Sequence, residues 1–192
     1  MRLALALAAL ALASAAGVAQ TNAPTPVPVS HFDSFELEGG GHVTMKYGPA
    51  QVVRLLKGST SYTNIHPDAD DHSKLVIETC NADCPHNYEL EVEIVTPDIA
   101  GVAISGGGHI ESAGAFHGLH KIAAAVHGGG KIDIRSLDVS EVTAAVNGGG
   151  GVLLKAKDTL VAAVNGGGHI EYWGNPQVTE AVNGGGSVSK GN

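Results

Sequence analysis

The chain has 192 residues and a formal net charge of −8, from 11 basic and 19 acidic side chains with histidine neutral. Nucleic acid needs basic side chains against its phosphates, so this acidic balance excludes nucleic acid as a partner. No basic run is present that would hold the chain on anionic lipid.

The N-terminus has the three parts of a secretory signal peptide. Arg2 supplies the positive charge, residues 3–13 are an unbroken Leu/Ala run, and small residues follow. Gly17 and Ala19 fit the positions before a cleavage site, which predicts a signal peptide over residues 1–19. A membrane span needs about 20 apolar residues, and no segment reaches that length. We therefore expect an exported protein, located in the periplasm, on the cell surface or in the medium.

A proline-rich segment, QTNAPTPVPVS, occupies residues 20–30. Proline fixes φ and lacks an N–H donor, so this composition predicts an extended tether outside the core. One domain is then expected over residues 31–192, a length that can bury one sizeable core.

A glycine triplet flanked by aliphatic residues repeats through the domain. Five copies begin at positions 104, 126, 146, 164 and 182, spaced by 18–22 residues. A sixth begins at Leu37, and the 67-residue gap from 37 to 104 would fit three degenerate coils. One strand-turn unit cannot bury its apolar side alone, but units stacked about 4.8 Å apart can. The repeat predicts an all-β fold, a right-handed parallel β-helix-like solenoid with coils of about 18–22 residues.

Alternation within each copy assigns the direction of the side chains. If the aliphatic residue before the triplet points inward, so does the one six positions later, which gives two aliphatic columns. The glycines are expected at a corner that excludes a Cβ atom. The residue just before the triplet forms another column, in which Asn147, Asn165 and Asn183 are predicted to form a ladder of hydrogen-bonded amides. Ligand binding by these asparagines is the less favoured alternative.

Cys80 and Cys84 are the only two cysteines of the chain. In an oxidising compartment so close a pair favours a small-loop disulfide. A metal site is the alternative, but two thiolates are only half of a zinc site. We therefore predict a disulfide between Cys80 and Cys84.

Two carboxylates occupy neighbouring outward positions in this register. Glu111 and Asp133 should lie about 5 Å apart, the spacing used by retaining glycosidases. A soluble acidic strip, neutralised in part by Lys131, is the favoured interpretation. The sequence has no nucleophile triad, phosphate-binding loop, zinc-protease helix or calcium nonapeptide, so we predict no catalytic residue and no cofactor.

The histidines are predicted to be surface residues and not metal ligands. His109 and His169 share a column but lie three coils apart, roughly 14 Å, which is too far to bind one ion. His117 and His120 are close in sequence, but they fall in a connection between coils. We therefore predict no metal site.

The C-terminal coil holds the only clustered aromatic pair, Tyr172 and Trp173. We favour a role for Trp173 in covering the core of the last coil over stacking on a sugar or a partner protein. Nothing after this coil resembles a cap, so its unpaired strand groups predict weak self-association through the C-terminal coil.

Several motifs together resemble one protein family. GGGHIEYWGNPQV (166–178) and AVNGGGSV (181–188) are similar to the C-terminal signature of the putative auto-transporter adhesin, head GIN domain family. FELEGGGHV (35–43), TPDI (96–99) and ISGGG (104–108) resemble its N-terminal part, so the likeness covers roughly residues 32–190. The resemblance implies an exported bacterial β-helical domain and brings no catalytic residues.

The favoured function is therefore an exported, non-enzymatic protein with a structural or adhesin-like binding role in the cell envelope. Its partner would be an envelope glycan or a surface protein. The alternative is a polysaccharide-binding or polysaccharide-cleaving β-helix that uses the outward carboxylates Glu111 and Asp133.

Overall fold

The computed structural model describes residues 24–116 and 118–192. Within these residues the secondary structure is entirely β, and its strands join into one mixed sheet, so the all-β prediction is confirmed. The predicted signal peptide, residues 1–19, lies outside the described residues. No helix long and apolar enough to cross a membrane occurs in the described part of the chain.

The strands form two stacks, and most turns between the stacks are made by glycine. The first stack contains, in spatial order, β5 (Asn64–Pro67), β6 (Lys74–Glu78), β2 (Ser34–Gly39), β8 (Gly101–Gly106), β10 (Lys121–Gly128), the second half of β11 (Lys131–Gly148), the second half of β12 (Gly151–Gly166) and β14 (Gln177–Asn183). The second stack contains β1 (Thr25–Val27), β4 (Val52–Lys57), β7 (Glu91–Thr96), β3 (His42–Tyr47), β9 (His109–Ala113), the first halves of β11 and β12, β13 (His169–Gly174) and β15 (Ser187–Lys190).

Two aliphatic columns, one in each stack, form the core. In the first stack the residues before the glycines pair in register across parallel strands: Leu37, Ile104, Val126, Val146, Val164 and Val182. In the second stack the fully buried column is Val43, Ile110, Ile132, Val152 and Ile170. Burying each such side chain stabilises the fold by about 1.5–3 kcal/mol. The stacking of coils, and not any one coil, therefore supplies the core.

The three glycines of a triplet differ in how closely they approach the neighbouring coil. Gly148 has a φ of +125°, and a Cβ there would lie 2.5 Å from the Gly128 carbonyl oxygen of the preceding coil. A Cβ on Gly150 would collide with the Gly130 carbonyl oxygen, whereas one on Gly149 would meet nothing within 4 Å. The first and third positions thus require glycine because the backbones of neighbouring coils approach closely there.

The segment between the first two glycine triplets departs from the prediction of three degenerate coils. It contains a single parallel coil, β6 and β7, together with the antiparallel strands β4 and β5. This coil packs on the outer side of β2 and β3, so the repeats at 37 and 104 are direct neighbours in space. Strand edges pair by backbone hydrogen bonds that are alike for all residues, and order along the chain therefore does not fix order in the stack.

Antiparallel strands also change the N-terminal boundary of the fold. The pairs β1–β4, β4–β7 and β5–β6 are antiparallel, so the sheet is not the wholly parallel one predicted. Strand β1 lies inside the predicted tether, and its Pro26 is tolerated because β1 is an edge strand. Val27 and Val29 pack against the core, so the folded part begins before His31.

Candidate functional site

The outward face of the second stack carries an open groove of about 630 Å³. Its lining includes two acidic side chains, two basic ones and the indole of the chain: Glu111, Asp133, Arg135, Lys155 and Trp173. These five residues come from the four neighbouring strands β9, β11, β12 and β13, and alternation along each strand turns them away from the core. The groove therefore exists only because neighbouring coils are in register.

The two carboxylates of the groove occupy the neighbouring positions expected from the repeat. Glu111 pairs with Asp133 across the parallel strands β9 and β11. Asp133 accepts two hydrogen bonds from the Arg135 side chain, from Nε at 2.9 Å and from Nη2 at 2.6 Å. Burial has the largest single effect and would raise the pKa of Asp133, but the hydrogen bonds from the Arg135 side chain and backbone, together with the positive charges of Arg135 and Lys131, lower the pKa overall. Asp133 is therefore held as a carboxylate, the form that accepts hydrogen bonds.

Trp173 lies on the outward face and not over the core, so the favoured prediction for it is wrong. Its ring centroid is 5.0 Å from the Arg135 guanidinium carbon, a cation–π arrangement. Its Nε1 donates a hydrogen bond to the Asn192 carbonyl oxygen at 3.2 Å. Tyr172 packs against the core instead. Alternation from the buried Ile170 requires this assignment, since Tyr172 is two positions further along the strand.

A cluster that the sequence analysis missed joins His42 to His109 and Glu111. Strands β3 and β9 pair in register, which sets His42 opposite His109. His42 Nε2 lies 3.2 Å from Glu111 Oε1, and His109 Nε2 lies 3.8 Å from Glu111 Oε2. Burial, followed by the neighbouring His42, lowers the pKa of His109. The GGGH motif shared by residues 39–42 and 106–109 is a sequence signal for this pairing, but the three coils predicted between the two copies would separate them.

The remaining histidine of that column, His169, lies where the repeat predicts. His109 is followed across the stack by Lys131, Gly151 and His169. The His169 ring lies over Gly151, where a Cβ atom would collide with it. His120 is an exposed residue of a connection, and His117 lies outside the described residues.

The structure also places the predicted ladder and cysteines. Asn165 Nδ2 donates to Asn147 Oδ1 at 2.9 Å, and Asn183 Nδ2 donates to Asn165 Oδ1 at 3.1 Å. The ladder faces outward, with Asn165 and Asn183 both exposed. Cys80 and Cys84 are joined by a disulfide in the loop between β6 and β7.

The fold and the site together define the class of this protein: it is an all-β protein with a groove of polar and aromatic side chains on stacked strands. Residues 118–176 match the family model described as putative auto-transporter adhesin, head GIN domain. The resemblance found in the sequence is confirmed by this match. No curated protein matches the chain.

Solved structures are similar to the chain at low sequence identity. A putative adhesin from Bacteroides fragilis is 13% identical over 88% of this chain and 96% of that chain, with a TM-score of 0.53. A putative adhesin and a putative lipid binding protein from Parabacteroides distasonis, at the same coverages, are 16% and 9% identical with TM-scores of 0.44 and 0.49. The likeness to the Bacteroides fragilis structure concerns the fold alone.

Proposed function

We propose that this chain is an exported, non-enzymatic protein of the cell envelope that binds a glycan or a surface protein through the groove. The groove itself carries the proposal. Trp173 offers a flat apolar ring with a polar edge, which suits the face of a sugar or an apolar partner surface. The charged side chains beside it supply donors and acceptors for hydroxyl groups.

We also propose that the chain is exported and that its strands form a solenoid. The N-terminal pattern of a positive charge, an apolar run and small residues supports secretion, and the adhesin description of the matching family supports an envelope location. The in-register parallel pairs from β8 to β14 support a solenoid with coils of about 18–22 residues, and the strong preference of parallel crossovers for the right hand supports a right-handed one. A rigid stack of this kind would hold the groove residues at fixed spacing without a bound partner.

A binding comparison of two aromatic variants tests the groove. Trp173→Ala should weaken binding to the best ligand of an envelope-glycan panel, or to an immobilised envelope fraction, by about tenfold or more, because stacking on the indole is lost. Tyr47→Ala is the matched control, since Tyr47 is an exposed aromatic residue that does not line the groove. Equal binding by the wild type and Trp173→Ala, or no binding by the wild type, would contradict the proposal.

A polysaccharide-cleaving enzyme is the second candidate because Glu111 and Asp133 line the same groove on paired strands. Because the pKa of Asp133 is lowered, Asp133 would have to be the ionised nucleophile of such an enzyme and not its general acid, but both of its carboxylate oxygens already accept hydrogen bonds from Arg135. Binding is therefore favoured over cleavage. Glycan turnover that disappears in the Glu111→Gln/Asp133→Asn double variant would reverse this choice.

A further inference from the structure

The His42, His109 and Glu111 cluster lies at the junction between the first glycine repeat and the regular repeats that begin at residue 104. Each residue offers one ligand atom, and the three atoms lie within 4.8 Å of one another. The two imidazole centroids are 4.9 Å apart, and the Nε2 atom of each ring lies near the Glu111 carboxylate.

These separations suit a small tetrahedral ion. With zinc–ligand bonds of about 2.0–2.1 Å, adjacent ligand atoms of a tetrahedral zinc site are roughly 3.3–3.4 Å apart. His42 Nε2 lies 3.2 Å from Glu111 Oε1 and His109 Nε2 lies 3.8 Å from Glu111 Oε2, so a rotation of the carboxylate that presents one oxygen to both rings would bring the ligand atoms toward this geometry. Two imidazoles and a carboxylate are also a ligand set that zinc uses with a water as the fourth ligand.

We propose that His42, His109 and Glu111 form a binding site for a zinc ion on the outward face of the second stack.

The surrounding backbone holds the three ligands in place. The amide of His109 donates to the Gly41 carbonyl oxygen and the amide of His42 to the Leu90 carbonyl oxygen, both at 2.8 Å. Thr44 pairs with Glu111 in the strand register, and its hydroxyl lies 3.5 Å from Glu111 Oε1. Strands on both sides therefore fix the ligand backbones before an ion arrives, which lowers the entropic cost of binding.

The exposure of the cluster leaves room for the fourth ligand. The His42, His109 and Glu111 side chains are 39%, 31% and 43% exposed, so a bound ion would keep a water on its solvent side. Lys131 is the next residue of the His109 column, and its positive charge weakens the site without occupying it. Because Glu111 also lines the groove, the ion would lie at the edge of the groove.

Calorimetry with zinc chloride on the tag-free mature protein tests the site and needs no groove ligand, so the result is independent of the proposed binding function. The wild type should bind one zinc ion at this site, and zinc should raise its Tm because the folded chain holds the three ligands together and binds the ion more tightly than the unfolded chain does. His42→Gln, His109→Gln and Glu111→Gln should each raise the Kd by more than about tenfold, since loss of even an outer partner costs that much.

His169→Gln is the matched control. His169 has the same GGGH motif and the same column, but its neighbours there are Gly151 and Ser187, neither of which is a zinc ligand. This variant should keep both the zinc affinity and the zinc-dependent rise in Tm. Circular dichroism of each variant without metal establishes that it is folded, and Glu111→Gln serves if a histidine variant is not. No zinc binding by the wild type, unchanged binding in folded His109→Gln or Glu111→Gln, or equal loss in His169→Gln would overturn the proposal.

Discussion

The two ends of the strand stacks hold the same aliphatic column in opposite environments. At one end Ile77 is fully buried, because β5 pairs antiparallel with β6 on its outer side. At the other end Val182 is 40% exposed, and β14 pairs only with β12 among the described strands. An aliphatic residue of a coil is fully buried only when another strand layer covers that coil. The same sequence motif therefore stabilises the fold less at the open end of the stack than in its middle.

The two ends are also protected by different means. The end at β6 and β7 is covered by the strands β4, β1 and β5. At the other end, charged residues replace core residues: Glu180 pairs in register with the buried Ala162, and Lys190 with Tyr172. Charges at positions that would otherwise be apolar discourage a second chain from adding to an open edge.

The largest expected effect comes from adding a methyl group to a glycine in an inner coil. Gly148→Ala should lower the free energy of unfolding by about 2–5 kcal/mol, through the left-handed φ and the clash with the Gly128 carbonyl oxygen. Gly184→Ala creates the same clash against Gly166 but should cost less, because the last coil can shift outward. Urea denaturation measures both losses.

Gly149→Ala is the control for that pair, since a Cβ there meets nothing within 4 Å and φ is not left-handed. Its unfolding free energy should change by less than about 0.5 kcal/mol. If Gly148→Ala and Gly149→Ala unfolded at the same urea concentration, close approach between coils would not be what the triplets protect.

The next effect concerns the covered end. Removing the disulfide with Cys80→Ser/Cys84→Ser should cost about 2 kcal/mol, because the bridge closes only a short loop in the unfolded chain. Urea midpoints of the wild type and the variant measure the loss. Mass spectrometry of exported protein should show both thiols protected from alkylation until reduction, and two thiols freely alkylated without reductant would refute the bridge.

A smaller effect is expected along the asparagine ladder. Asn165 makes two ladder hydrogen bonds and Asn183 makes one. Asn165→Ala should therefore cost about 1 kcal/mol and Asn183→Ala about half as much, because these amides are exposed to competing water. Equal thermal denaturation midpoints for the two variants would mean that position in the stack does not govern the ladder.

The smallest effect concerns association through the open end. We expect weak self-association of the wild type at high concentration in sedimentation equilibrium, strengthened in Glu180→Ala, which restores the alanine of its column. Val182→Lys should weaken it, whereas Val161→Lys should not, although both valines are similarly exposed. A strictly monomeric Glu180→Ala variant would show that the open end does not self-associate.

The sequence predicted that the two carboxylates of the candidate site are neighbours. Glu111 and Asp133 are neighbours because two consecutive copies place them at the same offset from their triplets. The predicted direction of the Trp173 side chain was wrong, although alternation from the inward Ile170 places Trp173 on the outward face. The neighbours of His42 could not be predicted, because the sequence of residues 37–43 does not indicate that this coil pairs with the coil formed by β8 and β9.

The sequence by itself determined the all-β class, the 18–22-residue spacing of the glycine repeats from residue 104 onward, the inward aliphatic columns and the outward asparagine column. Each of these follows from side-chain alternation and from glycine at positions that exclude a Cβ, both of which are local properties. The tertiary structure alone decided the order of the N-terminal coils, the antiparallel cover at one end and the meeting of His42 with His109. Backbone hydrogen bonds can join any two open strand edges, so only packing of the whole chain selects which edges meet.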